Sequence, residues 1–270
     1  MFPRLFTWGS FTLHTYGLLV AIGFLAGIYT AQRFARRFGL NPDQIFNLSV
    51  YLAIGAIVGA KLFLILQDWR FYLRHPGQLL SLSLLESAGI FYGGLVVALL
   101  VSVFYVRRQK LSWLAMGDAV VPGVAVGHAI GRLGCFSAGC CWGKPTSLPW
   151  GITFTSQYAH QTVGVPLGIP LQPTELLGSA AEVVLFIILW RLASRRKFTG
   201  QLTAVYLVLY GIWRFSIDFL RYYSPQALLF HNTLTAAQLT SIFAILLGLG
   251  IFVRQARKTE SHPAPTAASA

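Results

Sequence analysis

One arginine and three cysteines occur close together in the stretch GRLGCFSAGCCWGKPTSLPWG, residues 131–151. Arg132 carries a fixed charge and five hydrogen-bond donors, which suit carboxylates and phosphates. Cys135, Cys140 and Cys141 could act as nucleophiles, bind a metal or form a disulfide. Zinc sites do not commonly use the spacing C-x4-C-C, and three cysteines are too few for a disulfide framework. The pattern therefore favours small packed residues, and we expect no metal and no cofactor.

A second group of charges lies in YGIWRFSIDFLR, residues 210–221. Arg214 and Asp218 are four residues apart, so they share one helix face and can form an ion pair. Arg221 follows Asp218 by about one turn. An arginine has more donors than one carboxylate consumes, and the spare donors can hold a phosphate bidentately. The spacing fits a neutralised structural pair as well as an anion site, and both interpretations stay open.

The composition indicates that a membrane protein positions these residues. The chain is 55% hydrophobic and 11% charged, whereas soluble domains carry about 25% charged residues. Apolar runs long enough to cross a bilayer predict an all-α, polytopic membrane protein with seven transmembrane helices. The predicted spans are residues 16–30, 45–66, 89–107, 111–131, 174–190, 200–220 and 234–253.

The net charge of +13 at pH 7 could indicate nucleic-acid binding, but the positions of the charges favour a topological cause. Basic residues collect in cytoplasmic loops of membrane proteins, and here they follow the odd-numbered spans. They are Arg33, Arg36, Arg37, Arg107, Arg108, Lys110, Arg191, Arg195, Arg196, Lys197, Arg254, Arg257 and Lys258. This pattern places the N-terminus outside, on the periplasmic side, and the C-terminus in the cytoplasm. It excludes nucleic acid as a partner.

The same pattern predicts the domain organisation. Residues 1–258 are expected to form a single transmembrane domain, with an extracytoplasmic loop region at about 132–173. Residues 259–270 have the composition of a disordered polar tail.

Arginines at membrane depth need a partner, because an ionisable group there costs roughly 2.5 to 3.5 kcal/mol on insertion scales. Arg132 and Arg214 have few carboxylates near them in sequence. The anion most available in a membrane is a phospholipid headgroup, and arginine suits phosphate better than lysine does. We therefore expect the arginines to bind a lipid phosphate.

Five motifs occur together along the chain. They are LHTYGLL at 13–19, GIFYGGL at 89–95, GRLGCFSAGCCWGK at 131–144, LQPTELL at 171–177 and YGIWRFSIDFLR at 210–221. In these motifs and their order the chain resembles the prolipoprotein diacylglyceryl transferases of bacteria over about residues 11–254. Members of that family transfer diacylglyceryl from phosphatidylglycerol to the lipobox cysteine of a prolipoprotein, and glycerol phosphate leaves. The resemblance implies this first step of lipoprotein maturation, at the bacterial cytoplasmic (inner) membrane.

The resemblance also implies roles for particular residues. Arg132 and Arg214 match family arginines implicated in lipid binding and catalysis, and Tyr16 matches a family tyrosine near the same cavity. The other residues expected to bind substrate are His14, Gly143, Asp218 and Arg221. The implied partners are phosphatidylglycerol, the prolipoprotein signal peptide with its lipobox cysteine, and the lipid bilayer.

The chain departs from the family pattern at the general base. Tyr92, expected in the catalytic set, stands where family members carry a histidine before Gly-Gly, and a tyrosine with a pKa near 10 is a poor base. Nearby arginines could lower the pKa of the acceptor thiol, Tyr92 could orient the headgroup, or the lipid phosphate could accept the proton. We expect the first two together, with His128 and His14 as alternative bases.

Two other functions remain open. A divergent family member could bind lipid or precursor without reacting. Tyr92 would explain this, as would Cys135, Ala138 and Cys140, which stand where the family signature has asparagines and a glutamate. An anion transporter would also need membrane arginines, although the sequence shows no internal repeat of the kind that many transporters have.

Overall fold

The computed structural model describes residues 2–8, 11–81, 89–223, 228–229 and 233–261. Its helices are α1 (Thr15–Arg37), α2 (Pro42–Gln67), α3 (Trp69–Arg74), α4 (Phe91–Arg108), α5 (Trp113–Ala138), α6 (Gln157–Val163), α7 (Thr174–Ala193), α8 (Gln201–Ile217) and α9 (Ala236–Ser261), with a 3-10 helix at Pro76–Leu80. Three antiparallel pairs join β1 (Arg4–Trp8) to β2 (Phe11–His14), β3 (Ile152–Thr153) to β4 (Pro170–Leu171), and β5 (Leu228–Leu229) to β6 (Leu234–Thr235).

The helices confirm a membrane protein of mostly helical structure. Five of them are long and apolar enough to cross a bilayer, namely α1, α2, α5, α7 and α9. The third and sixth predicted spans correspond to α4 and α8, of 18 and 17 residues. Large apolar side chains on α9 are exposed, such as Phe243 at 68%, which suits contact with lipid. The all-α prediction omitted the three strand pairs, because strands of two to five residues leave little periodicity in a sequence.

The chain divides into two compact units. The first contains Met1–Phe34 and Gly117–Ala270, and the second contains Ala35–Met116. In the second unit α2 packs against α4 at small residues: a Cβ built on Gly59 would lie 2.5 Å from the Gly93 carbonyl oxygen. The single transmembrane domain expected for residues 1–258 stays a prediction.

Paired glycines bring α1 and α5 together within the first unit. Gly23 and Gly27 on α1 face Gly123 and Gly127 on α5, each pair four residues apart. A Cβ on Gly27 would lie 2.8 Å from the Gly123 carbonyl oxygen, and one on Gly127 would lie 2.9 Å from that of Gly23. Small residues at this spacing let helix backbones approach closely inside a membrane. This contact holds α5, which carries Arg132, against α1.

Helix α5 runs further than the sequence indicated. The predicted span ended at residue 131, but the helix continues through Pro122 to Ala138. Pro is tolerated in membrane helices, where neighbouring groups satisfy the freed carbonyls. Arg132 therefore lies within the helix rather than at its end, and the connecting segment begins at residue 139. Helix α9 likewise reaches Ser261, into the tail expected at 259–270, of which residues 262–270 lie outside the described residues.

Asp118 on α5 fixes the start of α8. Its side chain is 0% exposed and accepts hydrogen bonds from the backbone of Gly200 at 2.7 Å and of Thr203 at 2.9 Å. The Thr203 hydroxyl and the Arg196 guanidinium also donate to it. These bonds satisfy amides that a helix start leaves without partners. The carboxylate thus sets where α8, the helix of Arg214, begins.

Replacing Gly123 with alanine tests the α1–α5 contact. The new Cβ would overlap the Gly27 carbonyl oxygen, so Gly123→Ala should cost about 1 to 3 kcal/mol through overpacking. Gly250→Ala on α9 is the matched control, because no atom lies within 4 Å of its Cβ position. We expect a lower melting temperature in detergent for Gly123→Ala alone. Equal melting temperatures for both variants would contradict the close contact.

Candidate functional site

A narrow polar cavity lies in the first unit among α5, α7 and α8. Its lining residues include His128, Arg132, Cys141, Glu182, Tyr210, Trp213, Arg214 and Arg221. Three of the arginines that the sequence singled out thus meet at one cavity. Its volume of about 10 Å³ leaves room for roughly one water. A phosphate group can enter only when side chains that line the cavity move.

Arg132 reaches the cavity from the next-to-last turn of α5. Its aliphatic stem packs on Gly178 of α7, where a Cβ would lie 3.4 Å from the arginine Cδ. Its guanidinium interacts electrostatically with the Tyr210 hydroxyl. Within the described residues, the ion pairs involve Arg196, Arg214 and His128, and no carboxylate pairs with Arg132. The guanidinium therefore keeps its positive charge uncompensated by a direct ion pair there.

Arg214 and Asp218 form the ion pair that their spacing predicts. Asp218 is buried and also accepts hydrogen bonds from the hydroxyls of Tyr223, at 2.7 Å, and Thr235. Arg214 in turn donates to the Tyr223 hydroxyl at 3.2 Å. Burial raises the pKa of Tyr223 above its usual value, so this hydroxyl stays neutral and able to donate. The network fixes the arginine at the cavity wall.

Arg221 and Gly143 lie side by side on paired backbone segments. The two residues form an isolated antiparallel bridge, and the amide of Lys144 donates to the carbonyl of Leu220 at 2.8 Å. A Cβ on Gly143 would lie 2.5 Å from the carbonyl oxygen of Gln172, so only glycine fits this crossing. Gly143 thus acts on the site by permitting a close backbone approach. The Arg221 guanidinium lies 5.3 Å from the ring centre of Tyr223.

A histidine–carboxylate pair also lines the cavity. His128 Nδ1 lies 2.6 Å from Oε1 of Glu182, whose side chain is 1% exposed. The Tyr206 hydroxyl donates to Oε2 of Glu182 at 3.5 Å, and the His128 ring packs edge-on against Tyr210 at 5.6 Å. A bond at Nδ1 orients the imidazole and leaves Nε2 for another partner.

Sequence reasoning named His128 but not its pairing with Glu182. They are 54 residues apart in sequence, so no local spacing connects them. The i, i+4 spacing of His128 with Arg132 on α5, and of Tyr210 with Arg214 on α8, was the available signal that one face of each helix is polar.

Of the remaining predicted residues, Tyr16 lies beside the cavity-lining elements. Its ring packs near Gly134 of α5, and it interacts electrostatically with Arg132 and the cysteines. His14 instead hydrogen-bonds the Tyr158 hydroxyl at 2.9 Å and stacks on that ring. Tyr92 belongs to the second compact unit, on α4.

The three cysteines form one cluster at the end of α5. The Sγ atoms of Cys135, Cys140 and Cys141 all lie within 4.8 Å of one another, and all three thiols are free. Hydrogen bonds from the thiols of Cys135 and Cys140 lower the pKa of Cys141, and Arg221 and Arg132 act in the same direction. The sequence predicted small packed residues here and did not anticipate that the three sulfurs converge.

The fold and the site together define a helical membrane protein with an arginine-lined cavity. Its sequence matches the family model described as prolipoprotein diacylglyceryl transferase over residues 3–254. The chain belongs to the prolipoprotein diacylglyceryl transferase family, and is therefore a transferase, as the motifs predicted.

Relatives with assigned names agree with this membership. A phosphatidylglycerol–prolipoprotein diacylglyceryl transferase of Clostridium tetani is 34% identical over 93% of this chain and 97% of its own length. Enzymes of the same name from Finegoldia magna and Geobacter sulfurreducens are 31% and 32% identical. They cover 87% and 95% of this chain, and 88% and 96% of their own lengths.

Proposed function

We propose that this protein transfers the diacylglyceryl group of phosphatidylglycerol to the lipobox cysteine thiol of a prolipoprotein, releasing glycerol phosphate. The names of the relatives support this activity. The observation that carries it is the meeting of Arg132, Arg214 and Arg221 at one cavity, where Asp218 is the carboxylate that pairs with one of them in the described structure. The arginines exceed the carboxylates paired with them, as an anion site requires.

The reaction places charge where the arginines lie. The acceptor sulfur attacks the glycerol carbon of the diacylglyceryl group, and the bond from that carbon to the phosphate oxygen breaks. The electron pair goes to the phosphate, which leaves as glycerol phosphate with one more negative charge. Cations preorganised beside that oxygen stabilise the transition state more than the ground state.

The positions of Arg132, Arg214, Arg221 and Tyr16 in the first unit support a role for each of them. Arg132 and Arg221 bind the phosphate. Arg214 also binds it, in competition with its ion pair to Asp218. Tyr16, beside Arg132, binds the lipid near its headgroup. The family motifs suggest three other roles, which remain proposals. His14, at the β2–α1 junction, contacts the substrate, and Tyr92 orients the headgroup. Gly143 allows two backbone segments to cross next to the phosphate.

His128 is the proton acceptor that this cavity supplies in place of the family histidine. Glu182 holds its Nδ1 at 2.6 Å, which orients the imidazole as a carboxylate does in a nucleophile–histidine–carboxylate triad. The ring lines the same cavity as Arg132 and Arg214. An acceptor thiol that enters this cavity therefore meets both this histidine and the arginines proposed to bind the phosphate.

We also propose seven spans, with the N-terminus on the periplasmic side of the bacterial cytoplasmic membrane. Helices α4 and α8 add to the five long apolar helices, and 17 or 18 residues are enough for a short span. Reporter fusions after residues 110 and 258 should both be active on the cytoplasmic side. A fusion within residues 144–150 should be active on the periplasmic side, and the opposite result at any of the three would contradict the topology.

Substitution of Arg132 tests the function directly. Arg132→Ala should lower transfer by about 10²- to 10³-fold, the usual effect of removing one preorganised charge-stabilising donor. The assay is the mass shift of a lipobox cysteine peptide in nanodiscs containing phosphatidylglycerol. The exposed Arg191→Ala on α7 is the matched control and should retain activity. Binding of lipid and peptide without any product in the unmodified protein would favour the non-catalytic alternative.

Substitution of His128 tests the proton acceptor separately. His128→Asn can keep a hydrogen bond to Glu182 but cannot accept the thiol proton, so kcat should fall by about 10²- to 10⁴-fold. KM for phosphatidylglycerol should change little, because the arginines remain. His75→Asn, at an exposed position beyond α3, is the control. An unchanged kcat for His128→Asn would remove this residue from the chemistry.

A further inference from the structure

The cysteine cluster has no role in the reaction described so far. Cys135, Cys140 and Cys141 bring three Sγ atoms within 4.8 Å of one another, and each side chain is half-buried. Cys141 also lines the cavity that Arg132 and Arg214 share. Three thiols at one point, beside a cavity assigned to a thiol reaction, call for a chemical explanation.

The backbone holds these thiols together through the way α5 ends. Gly139 has a φ of +74°, its amide donates to the Phe136 carbonyl at 3.2 Å, and the Cys140 amide donates to the Cys135 carbonyl at 3.1 Å. These two bonds are a Schellman motif, in which the side chains at the positions of Cys135 and Cys140 normally contact each other.

Cys141 then adopts an uncommon conformation. Its φ is +70°, in the left-handed region that non-glycine residues seldom occupy, and its carbonyl accepts a hydrogen bond from the Thr174 hydroxyl at 2.8 Å. A residue with a β-carbon is strained in this region, which has an energetic cost. The turn and the tie to α7 hold the third thiol against the other two despite that cost.

The geometry suits a thiophilic metal ion. Around one metal with bonds of about 2.3 Å, three sulfurs are separated by about 3.8 to 4.0 Å. The observed upper limit of 4.8 Å means that the thiols need to move by less than about 1 Å. Arg132 and Arg221 interact electrostatically with Cys141 and can offset the negative charge that three thiolates and a divalent ion retain.

The number of protein ligands distinguishes a structural metal site from a reactive one. Structural zinc sites have four protein ligands, whereas reactive sites have three and leave one position open. Among the described residues, no histidine or carboxylate joins the three thiols as a fourth ligand. A disulfide would use two of the thiols and leave the third without a role, and Cys140 and Cys141 are adjacent in sequence, where a bridge is strained.

We propose that Cys135, Cys140 and Cys141 form a tri-thiolate site for a thiophilic divalent metal ion of the zinc class, and that its open position binds the acceptor thiol. The first part stands on the cluster alone, and the second rests on the proposed transferase function. It departs from the expectation of no metal, which rested on an unusual cysteine spacing.

The step balances without any oxidant or reductant. The acceptor sulfur binds the ion and releases its proton to His128. The same sulfur then forms the bond to the glycerol carbon while the carbon–oxygen bond breaks and its electron pair goes to the phosphate. The thioether product is a weaker ligand than a thiolate and leaves the metal ion. The oxidation state of the metal does not change at any step.

Cobalt(II) is the spectroscopic probe for the site. The full-length protein, purified in detergent, reduced and kept without oxygen, should bind one Co²⁺ per chain. We expect sulfur-to-cobalt charge-transfer absorption and the strong visible bands of a tetrahedral site. The triple Cys→Ser variant should lose these bands, whereas Ser137→Ala, next to the cluster but with all thiols retained, should keep them. A reduced protein without such bands would overturn the proposal, as would isolation with one free thiol per chain instead of three.

A second measurement tests the open position. A lipobox cysteine peptide should raise the charge-transfer intensity, and the matching serine peptide should not. If cobalt binds and neither peptide changes the spectrum, the acceptor-binding part is wrong. If chelator-treated protein that contains no metal transfers lipid at the full rate, the metal has no part in the reaction while the proposed function stands. If cobalt and peptide bind as expected but no lipid transfer occurs, the transferase function itself fails.

Discussion

The positive charge of guanidinium groups inside a membrane protein is the constraint on which this site depends. An arginine at membrane depth needs hydrogen-bond acceptors and a counter-charge. Here Asp218 serves Arg214, while Tyr210 offers Arg132 a neutral hydroxyl. Among the described residues, Arg214 thus has an ion-pair partner and Arg132 has none. That remaining charge is what a lipid phosphate can neutralise.

Small residues make this arrangement possible. Gly123 and Gly127 bring α5 close to α1, Gly178 makes room for the stem of Arg132, and Gly143 allows two backbone segments to cross beside Arg221. Each glycine removes a side chain where a backbone or an arginine must approach. Close packing at these glycines thus helps to place the polar groups of the site.

The sequence predicted those features that depend on local spacing or on composition. Apolar length located the helices, and the four-residue spacing of Arg214 and Asp218 predicted their ion pair. The end of α5 was misjudged, because the apolar run stops before the charged Arg132 whereas the helix continues to Ala138. The pairing of His128 with Glu182 joins distant parts of the chain, and the convergence of the cysteines depends on the left-handed backbone of Cys141. Neither leaves a local periodic signal.

Asp218 has a consequence for turnover. It binds Arg214, Tyr223 and Thr235 together, and Thr235 also begins α9 by exchanging hydrogen bonds with Gln238. A headgroup that binds as proposed must compete with the Asp218 carboxylate for the Arg214 guanidinium, so it binds Arg214 more weakly. After the reaction, Asp218 competes in the same way with glycerol phosphate, which carries more negative charge and would otherwise stay bound. A competing carboxylate within the site limits the affinity for the phosphate and speeds release of the product. This suits an enzyme that must empty its cavity before the next lipid binds.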